Sequence, residues 1–221
     1  SYKQNSIQSK KMNLTRKDIY LALADKIPNS NGKLVKNPNK TWQDVNPSLP
    51  DKAIVVIGPP PTSGTRDAFV ELAMEGGAKS FKALKALRKS KDSNKIIEMM
   101  RDLDIPASAF NEKGKKVFKA ITHAIREDGA YIEAGENDNL IIQKLEANPD
   151  ALGIFGYSFL DQNSDKVQGS TVELVEPTFE SIADKSYSIA RPLYFYIKKA
   201  HINVVPRIAD YAAEFSSEKA W

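Results

Sequence analysis

The stretch Gly58-Pro59-Pro60-Pro61-Thr62-Ser63-Gly64-Thr65-Arg66-Asp67 gathers groups suited to holding an anion. It joins an apolar run to a helical pattern, the position where α/β proteins bind ligands. At a helix start several backbone N–H groups lack intrahelical partners and the dipole is positive, so an oxyanion is bound readily. Ser63 and Thr65 add hydroxyl donors, Gly64 leaves the backbone open to close approach, and Arg66 adds a charged fork. The spacing from Gly58 to Thr65 matches a nucleotide-binding G-x-x-x-x-G-K-[ST] loop. However, Ser63 stands in place of the second Gly and Gly64 in place of the Lys. Pro59, Pro60 and Pro61 carry no N–H, so they cannot build the ring of amides that wraps a nucleotide's phosphates. A nucleoside triphosphatase is thereby disfavoured. The competing reading is structural: Ser and Thr cap many helices, and Arg66 with Asp67 can form a surface pair worth only ~0–1 kcal/mol.

Other candidates are thinner. The turn Gly135-Glu136-Asn137-Asp138-Asn139 precedes a second helical pattern. A carboxylate repels an oxyanion unless a proton is shared, so Asn137 is the candidate contact there, against plain capping by Asn137 or Asp138. His123 and His201 have no His or Cys at ligand spacing, so no metal and no cofactor is expected. Ser63, His123 and an Asp could be drawn as a hydrolase triad, with Ser63 as nucleophile of a phosphoryl-handling enzyme. The G-x-S-x-G elbow is absent, because Pro61 and Thr65 occupy its glycine places, and no catalytic residue is assigned.

The elements that must position these residues are legible as hydrophobic patterns. Residues 53–58 (AIVVIG) read as a buried parallel strand. Residues 65–76 read as a helix with an apolar stripe at Ala68, Phe69, Leu72 and Ala73, stopped by Gly76-Gly77. Residues 14–24 form a helix with Thr15 as N-cap and Asp18 as capping-box partner. The Asn- and Pro-rich loop 28–50 is anchored by Trp42. Further helices are expected at 80–88, 95–104, 117–127, 139–147 and 206–221. Further strands are expected at 151–159, where Gly153 and Gly156 permit close backbone approach, and at 171–175 and 187–197. Strands alternating with helices define an α/β protein.

Composition sets the outer bounds. The chain has 221 residues, 41% hydrophobic and 27% charged, enough for one large domain or two small ones with a real core. A net charge of +4 suits an anionic partner, and the basic residues of 79–95 read as a solvated helix face. They lack the interleaved aromatics of a nucleic-acid binder, so no nucleic-acid partner is expected. The absence of cysteine excludes a disulfide framework and a thiol nucleophile. No apolar run reaches the ~18–20 residues of a membrane span, and the first six residues lack the apolar core of a signal peptide.

Beyond these readings, IVVIGPPPTSGTRDAFVEL resembles the anion-binding loop and helix of the phosphate-binding proteins of bacterial phosphate ABC transporters. So do LTRKDIYLALA at 14–24, TWQDVN at 41–46, ALGIFGY at 151–157 and YSIARPLY at 187–194, in the family's order. The resemblance implies a type II periplasmic binding protein-like fold, a mixed sheet flanked by helices. It further implies that residues 1–13 are a lead-in from a first lobe, 14–185 a second, anion-binding lobe, and 186–221 a return segment with a C-terminal helix of the first lobe. The N-terminal part of that first lobe is expected to be missing, which should leave half of the anion cage and weak binding. It implies a monomeric, extracytoplasmic solute-binding protein, periplasmic or anchored at the cell surface, that captures inorganic phosphate for an ABC permease and is not an enzyme. Other tetrahedral oxyanions are the alternative ligands. Carried over by position, Ser63, Gly64 and Thr65 bind the anion. The family's arginine four residues before this serine is Pro59 here, so Arg66 is the substitute and Asp67 its orienting partner.

Overall fold

The computed structural model describes residues 11–192, 194–202 and 204–217. The expected lead-in before residue 11, Leu193 of the return segment and positions 218–221 of the terminal helix lie outside the described residues. Two compact units emerge, the chain up to Ala190 and the chain from Arg191 onward.

In the first unit the apolar run at 53–58 supplies β4 (Val56–Gly58), the centre of a three-stranded parallel sheet between β5 (Tyr131–Glu133) and β6 (Leu152–Gly153). All three residues of β4 are buried, as expected of a central strand covered on both faces. Two smaller pairings complete the ladders. β1 (Asn13–Leu14) runs parallel to β7 (Thr171–Val172), and β2 (Lys26–Pro28) pairs antiparallel with β3 (Leu34–Lys36).

The first helix, α1 (Arg16–Leu23), begins with the expected capping box. Asp18 N donates to Thr15 Oγ1 at 3.0 Å, and Thr15 N donates to Asp18 Oδ2 at 2.8 Å. Trp42 opens the short α2 (Trp42–Val45) and is 1% exposed, so it does anchor its polar loop.

From Ser63 the chain winds without a break through α3 (Gly64–Phe69), one π-helical turn (Val70–Met74) and α4 (Glu75–Ala78). The expected stop at Gly76-Gly77 is therefore corrected. These glycines lie inside the helix, because α1 crosses it there. A Cβ on Gly77 would overlap the Arg16 carbonyl, and one on Gly76 would meet the Arg16 side chain at 2.7 Å. Three helices follow, α5 (Lys82–Lys89), α6 (Ser93–Asp102) and α7 (Gly114–Thr122), close to the segments expected. The core joins Leu23, Met74, Leu84, Leu87, Ile96 and Phe118.

Three later strand expectations are shortened or lost: 171–175 enters a ladder only at Thr171–Val172. Of 151–159 only Leu152–Gly153 enters the ladder, and the rest turns into α9 (Tyr157–Gln162), after α8 (Asp138–Ala147). Gly153 does permit close approach, since a Cβ there would meet Leu145 at 2.6 Å, whereas one on Gly156 would meet nothing closer than 3.7 Å. The described residues of 187–197 form no ladder. Their aromatics do not alternate across a sheet. Tyr187 instead packs singly on the core beyond α10 (Phe179–Ala183), and burial raises its phenol to about 12. In the second unit, α11 (Ile208–Phe215) places Phe215 edge-on to Phe195, with ring centres 4.7 Å apart.

Candidate functional site

The three parallel strands end at one edge of the sheet, and each leads into a helix start: Ser63 after β4, Asn137 after β5 and Gly156 after β6. Side chains tie the three loops together. The Tyr131 hydroxyl, from β5, donates to the Pro59 carbonyl at 2.7 Å. A Cβ on Gly58 would collide with that hydroxyl, which is the packing reason for glycine at the end of β4. The Thr62 hydroxyl donates to Glu136 Oε1 at 2.5 Å, joining the loops after β4 and β5. Asp138 Oδ2 accepts from Gly156 N at 3.2 Å, joining those after β5 and β6.

Ser63 is the N-cap of α3. Its Oγ accepts from Thr65 N at 3.2 Å, and its own N–H donates to the Pro60 carbonyl at 3.0 Å. Gly64 is exposed, with nothing within 4 Å of the place a Cβ would occupy, so the backbone there can be approached closely. The capping and anion-holding readings of this tripeptide are thus not exclusive. The cap fixes the backbone of the turn.

Arg66 has a different orienting partner from the one expected. Its Nη1 donates to the Pro59 carbonyl at 3.2 Å, and its guanidinium lies over the Tyr131 ring, 4.4 Å from the centroid. No Arg66–Asp67 ion pair forms among the described residues, and Asp67 is exposed, its N–H donating to the Ser63 carbonyl. Burial raises the Tyr131 phenol above its usual value, and the nearby Arg66 charge works against that rise. The phenol therefore stays a neutral donor at physiological pH. Asn137 is exposed and caps α8, accepting from Asn139 N at 3.0 Å. The Thr62–Glu136 bond places its loop beside that of Ser63.

His123 serves elsewhere. Its Nε2 lies 2.9 Å from Glu75 Oε1, a carboxylate that is 2% exposed. Lys119 at 3.5 Å, Arg88 at 3.7 Å and Lys79 at 4.0 Å surround the same group. Burial acts to raise the Glu75 carboxyl. The His123 hydrogen bond and the cations outweigh it, holding the group below the usual carboxylate range. A cleft of about 730 Å³ runs from Pro61, Arg66 and Asp67 to His123 and Arg126. Arg126 is committed to structure, donating to Asn39 O at 2.7 Å and to both carboxylate oxygens of Asp128. No cluster of metal-ligating side chains occurs among the described residues.

Sequence reasoning missed Tyr131 and Glu75. Tyr131 sits in β5, a strand that was not expected from sequence, and Glu75 sits in the apolar stretch of a helix. A lone carboxylate inside such a stretch was the available signal for the latter.

The fold is a parallel sheet whose carboxyl ends feed helix starts, the place where open α/β folds bind ligands. The chain belongs to the PBP superfamily: the model of the PBP superfamily domain matches residues 3–219. Among curated relatives, the phosphate-binding protein PstS of Staphylococcus haemolyticus is 29% identical over 172 residues, covering 76% of this chain and 38% of that protein. The phosphate-binding protein PstS of Staphylococcus saprophyticus is 30% identical over 162 residues, covering 71% of this chain and 35% of that protein. The chain thus spans little more than a third of the length of these relatives. Among solved structures, a possible phosphate binding protein from Planctomyces limnophilus superposes with a TM-score of 0.53 at 20% identity, over 96% of this chain and 57% of the other. PstS from Borrelia burgdorferi gives 0.51 at 17% identity, over 96% and 61%. These superpositions bear out the type II periplasmic binding protein-like α/β fold.

Proposed function

We propose that this chain is the anion-binding lobe of an extracytoplasmic solute-binding protein that captures inorganic phosphate for an ABC importer. The observation that carries the reading is the open helix start at Ser63-Gly64-Thr65, set at the carboxyl edge of a parallel sheet in a chain whose curated relatives are phosphate-binding proteins. In this reading the Thr65 hydroxyl, the Ser63 hydroxyl and the amides of the first helical turn donate to the phosphate oxygens. Arg66, steadied by Tyr131 and Pro59, supplies positive charge, and Asn137 contributes from the neighbouring loop. Asp67 lies in the first turn as a surface group beside the anion and does not hold the arginine.

Glu136, bonded to Thr62 one residue before the cap, offers an acceptor at the rim. Hydrogen phosphate has a proton to donate to it, and sulfate has none. Residues 14–185 form the lobe, 1–13 lead in from a first lobe, and 186–221 return to it. The partners are inorganic phosphate and a permease, the protein acts as a monomer, and no bond is made or broken. His123 is held by Glu75, which occupies the histidine of the hydrolase alternative and counts against it.

Calorimetric titration with phosphate and with sulfate tests this. Saturable heat with phosphate, roughly tenfold weaker in Ser63→Ala and in Thr65→Val, is the expected result; that factor matches about one hydrogen bond to a charged group. Equal response to sulfate, or unaltered affinity in both variants, contradicts it.

A further inference from the structure

Charge is distributed unevenly along this chain. Residues 79–119 contain 12 of its 32 Lys and Arg but only 5 of its 28 Asp and Glu, a local surplus of +7. The remaining 20 basic and 23 acidic residues make the rest of the chain net −3. The fold turns this sequence bias into a surface. On α5, Leu84 and Leu87 face the core, while Lys82, Lys85 and Lys89, at i, i+3 and i+7, are exposed on the opposite side. On α7, Val117 and Phe118 are buried, and Lys115 and Lys116 are exposed, with Lys113 just before the helix.

The two helices are held side by side. Gly114 N donates to the Ser90 carbonyl at 3.2 Å, and a Cβ on Gly114 would overlap the Leu87 carbonyl, so the approach requires glycine. Glu75 draws Arg88 of α5 and Lys119 of α7 onto one buried carboxylate. The outer faces of α5 and α7 therefore form one field of lysines. None of the six exposed lysines is in an ion pair with another described residue. Of the nearby acids, Asp92 is occupied in capping α6, where its Oδ1 accepts from Asn94 N and Lys95 N, and Glu112 lies at the margin.

We propose that this lysine field is a docking surface for an anionic phospholipid bilayer, holding the protein against the membrane by its headgroups. The chemistry favours a diffuse anionic sheet over a nucleic acid. The exposed cations are lysines, which act as mobile point charges on long stems, and the patch's arginine is turned inward to Glu75. No aromatic stands between the lysines to stack a base. Small residues, Ala83 and Ala86, are exposed between Lys82 and Lys89, leaving a low surface that lipid headgroups can meet. Six cations in one field exceed what weak juxtamembrane attraction needs, since each basic residue near an anionic leaflet strengthens binding about fivefold. The surface lies on different helices from the Ser63 site and works without it.

The test is co-sedimentation of the whole chain with vesicles of phosphatidylcholine, with and without phosphatidylglycerol. Binding to the anionic vesicles at low salt, none to pure phosphatidylcholine, and release when the Debye length falls to about 3 Å are expected. The exposed quadruple variant Lys82→Gln/Lys85→Gln/Lys115→Gln/Lys116→Gln should lose roughly a hundredfold or more, with an unchanged melting curve. A control that removes equal charge elsewhere, Lys33→Gln/Lys52→Gln/Lys144→Gln/Lys166→Gln, should stay within about threefold of the unaltered chain, as should Ser63→Ala. Equal binding to neutral vesicles, equal loss in both quadruple variants, no binding to anionic vesicles, or tighter retention on duplex DNA than on anionic vesicles overturns the proposal.

Discussion

The helix that runs from Ser63 through Ala78 meets negative charge at both ends in opposite ways. At its start Gly64 is exposed, and Ser63 and Thr65 are half-buried around the cap. At its far end Glu75 is fully buried and ringed by His123, Lys119, Arg88 and Lys79. The far end already contains its anion and uses it to fasten three helices. The near end is the helix start proposed to take an external anion. A buried charge is tolerable only when paired, so the Glu75 cluster is a fixed structural element. Donors at a capped helix start can remain hydrated until a ligand replaces the water, which is the role proposed for the Ser63 turn.

The strongest way to break the contrast is to empty the far end. Glu75→Ala leaves three cations around an apolar gap. The cost should be about 2–3 kcal/mol, below the range for a fully buried pair because the surrounding cations are about a third exposed. Urea unfolding measures it, and an unchanged midpoint would show that the cluster fastens nothing. Next in size is Gly77→Ala, which forces a methyl into the Arg16 carbonyl and should destabilise by roughly 1–3 kcal/mol, read as a lowered melting temperature.

At the near end, Ser63→Ala removes the cap and should cost about 1 kcal/mol of stability. That is less than the Glu75 substitution, while of these two variants only Ser63→Ala should weaken phosphate binding. Acid sharpens the comparison further. The Glu75 carboxyl is held below the ordinary range in the folded state, so its contribution is complete above the unfolded value. It is lost as pH falls through the depressed folded value. In Glu75→Gln that acid limb should flatten, as followed by near-ultraviolet circular dichroism during acid titration. A limb of unaltered depth would assign acid unfolding to other carboxylates.

What could be read from residue order was whatever depends on neighbours in sequence. Thr15 with Asp18, the apolar run ending at Gly58, the peg at Trp42 and the cap at Ser63 are all local patterns, and each takes its expected form. What escaped depends on residues far apart. Gly76-Gly77 has the local signature of a helix stop, yet the crossing of α1 makes it a packing notch. Arg66 has an acidic neighbour in Asp67, yet it takes the ring of Tyr131 and the carbonyl of Pro59, because β5 lies beside β4. The aromatic segment at 187–197 has strand-like composition, which reports burial of single rings such as Tyr187 as readily as it reports a ladder. The capped turn at Ser63 was legible, and the ring and carbonyl that steady Arg66 were not.

The central claim, that the Ser63 turn is the open end, is tested most directly by titrating phosphate into the isotope-labelled chain and following backbone amides by NMR. Saturable shifts centred on Gly64, Thr65 and Arg66, with the amides around Glu75 and His123 unmoved and sulfate producing weaker shifts, are the predicted result. Shifts confined to the lysine-bearing helices, or no saturable change at the Ser63 turn, would contradict it.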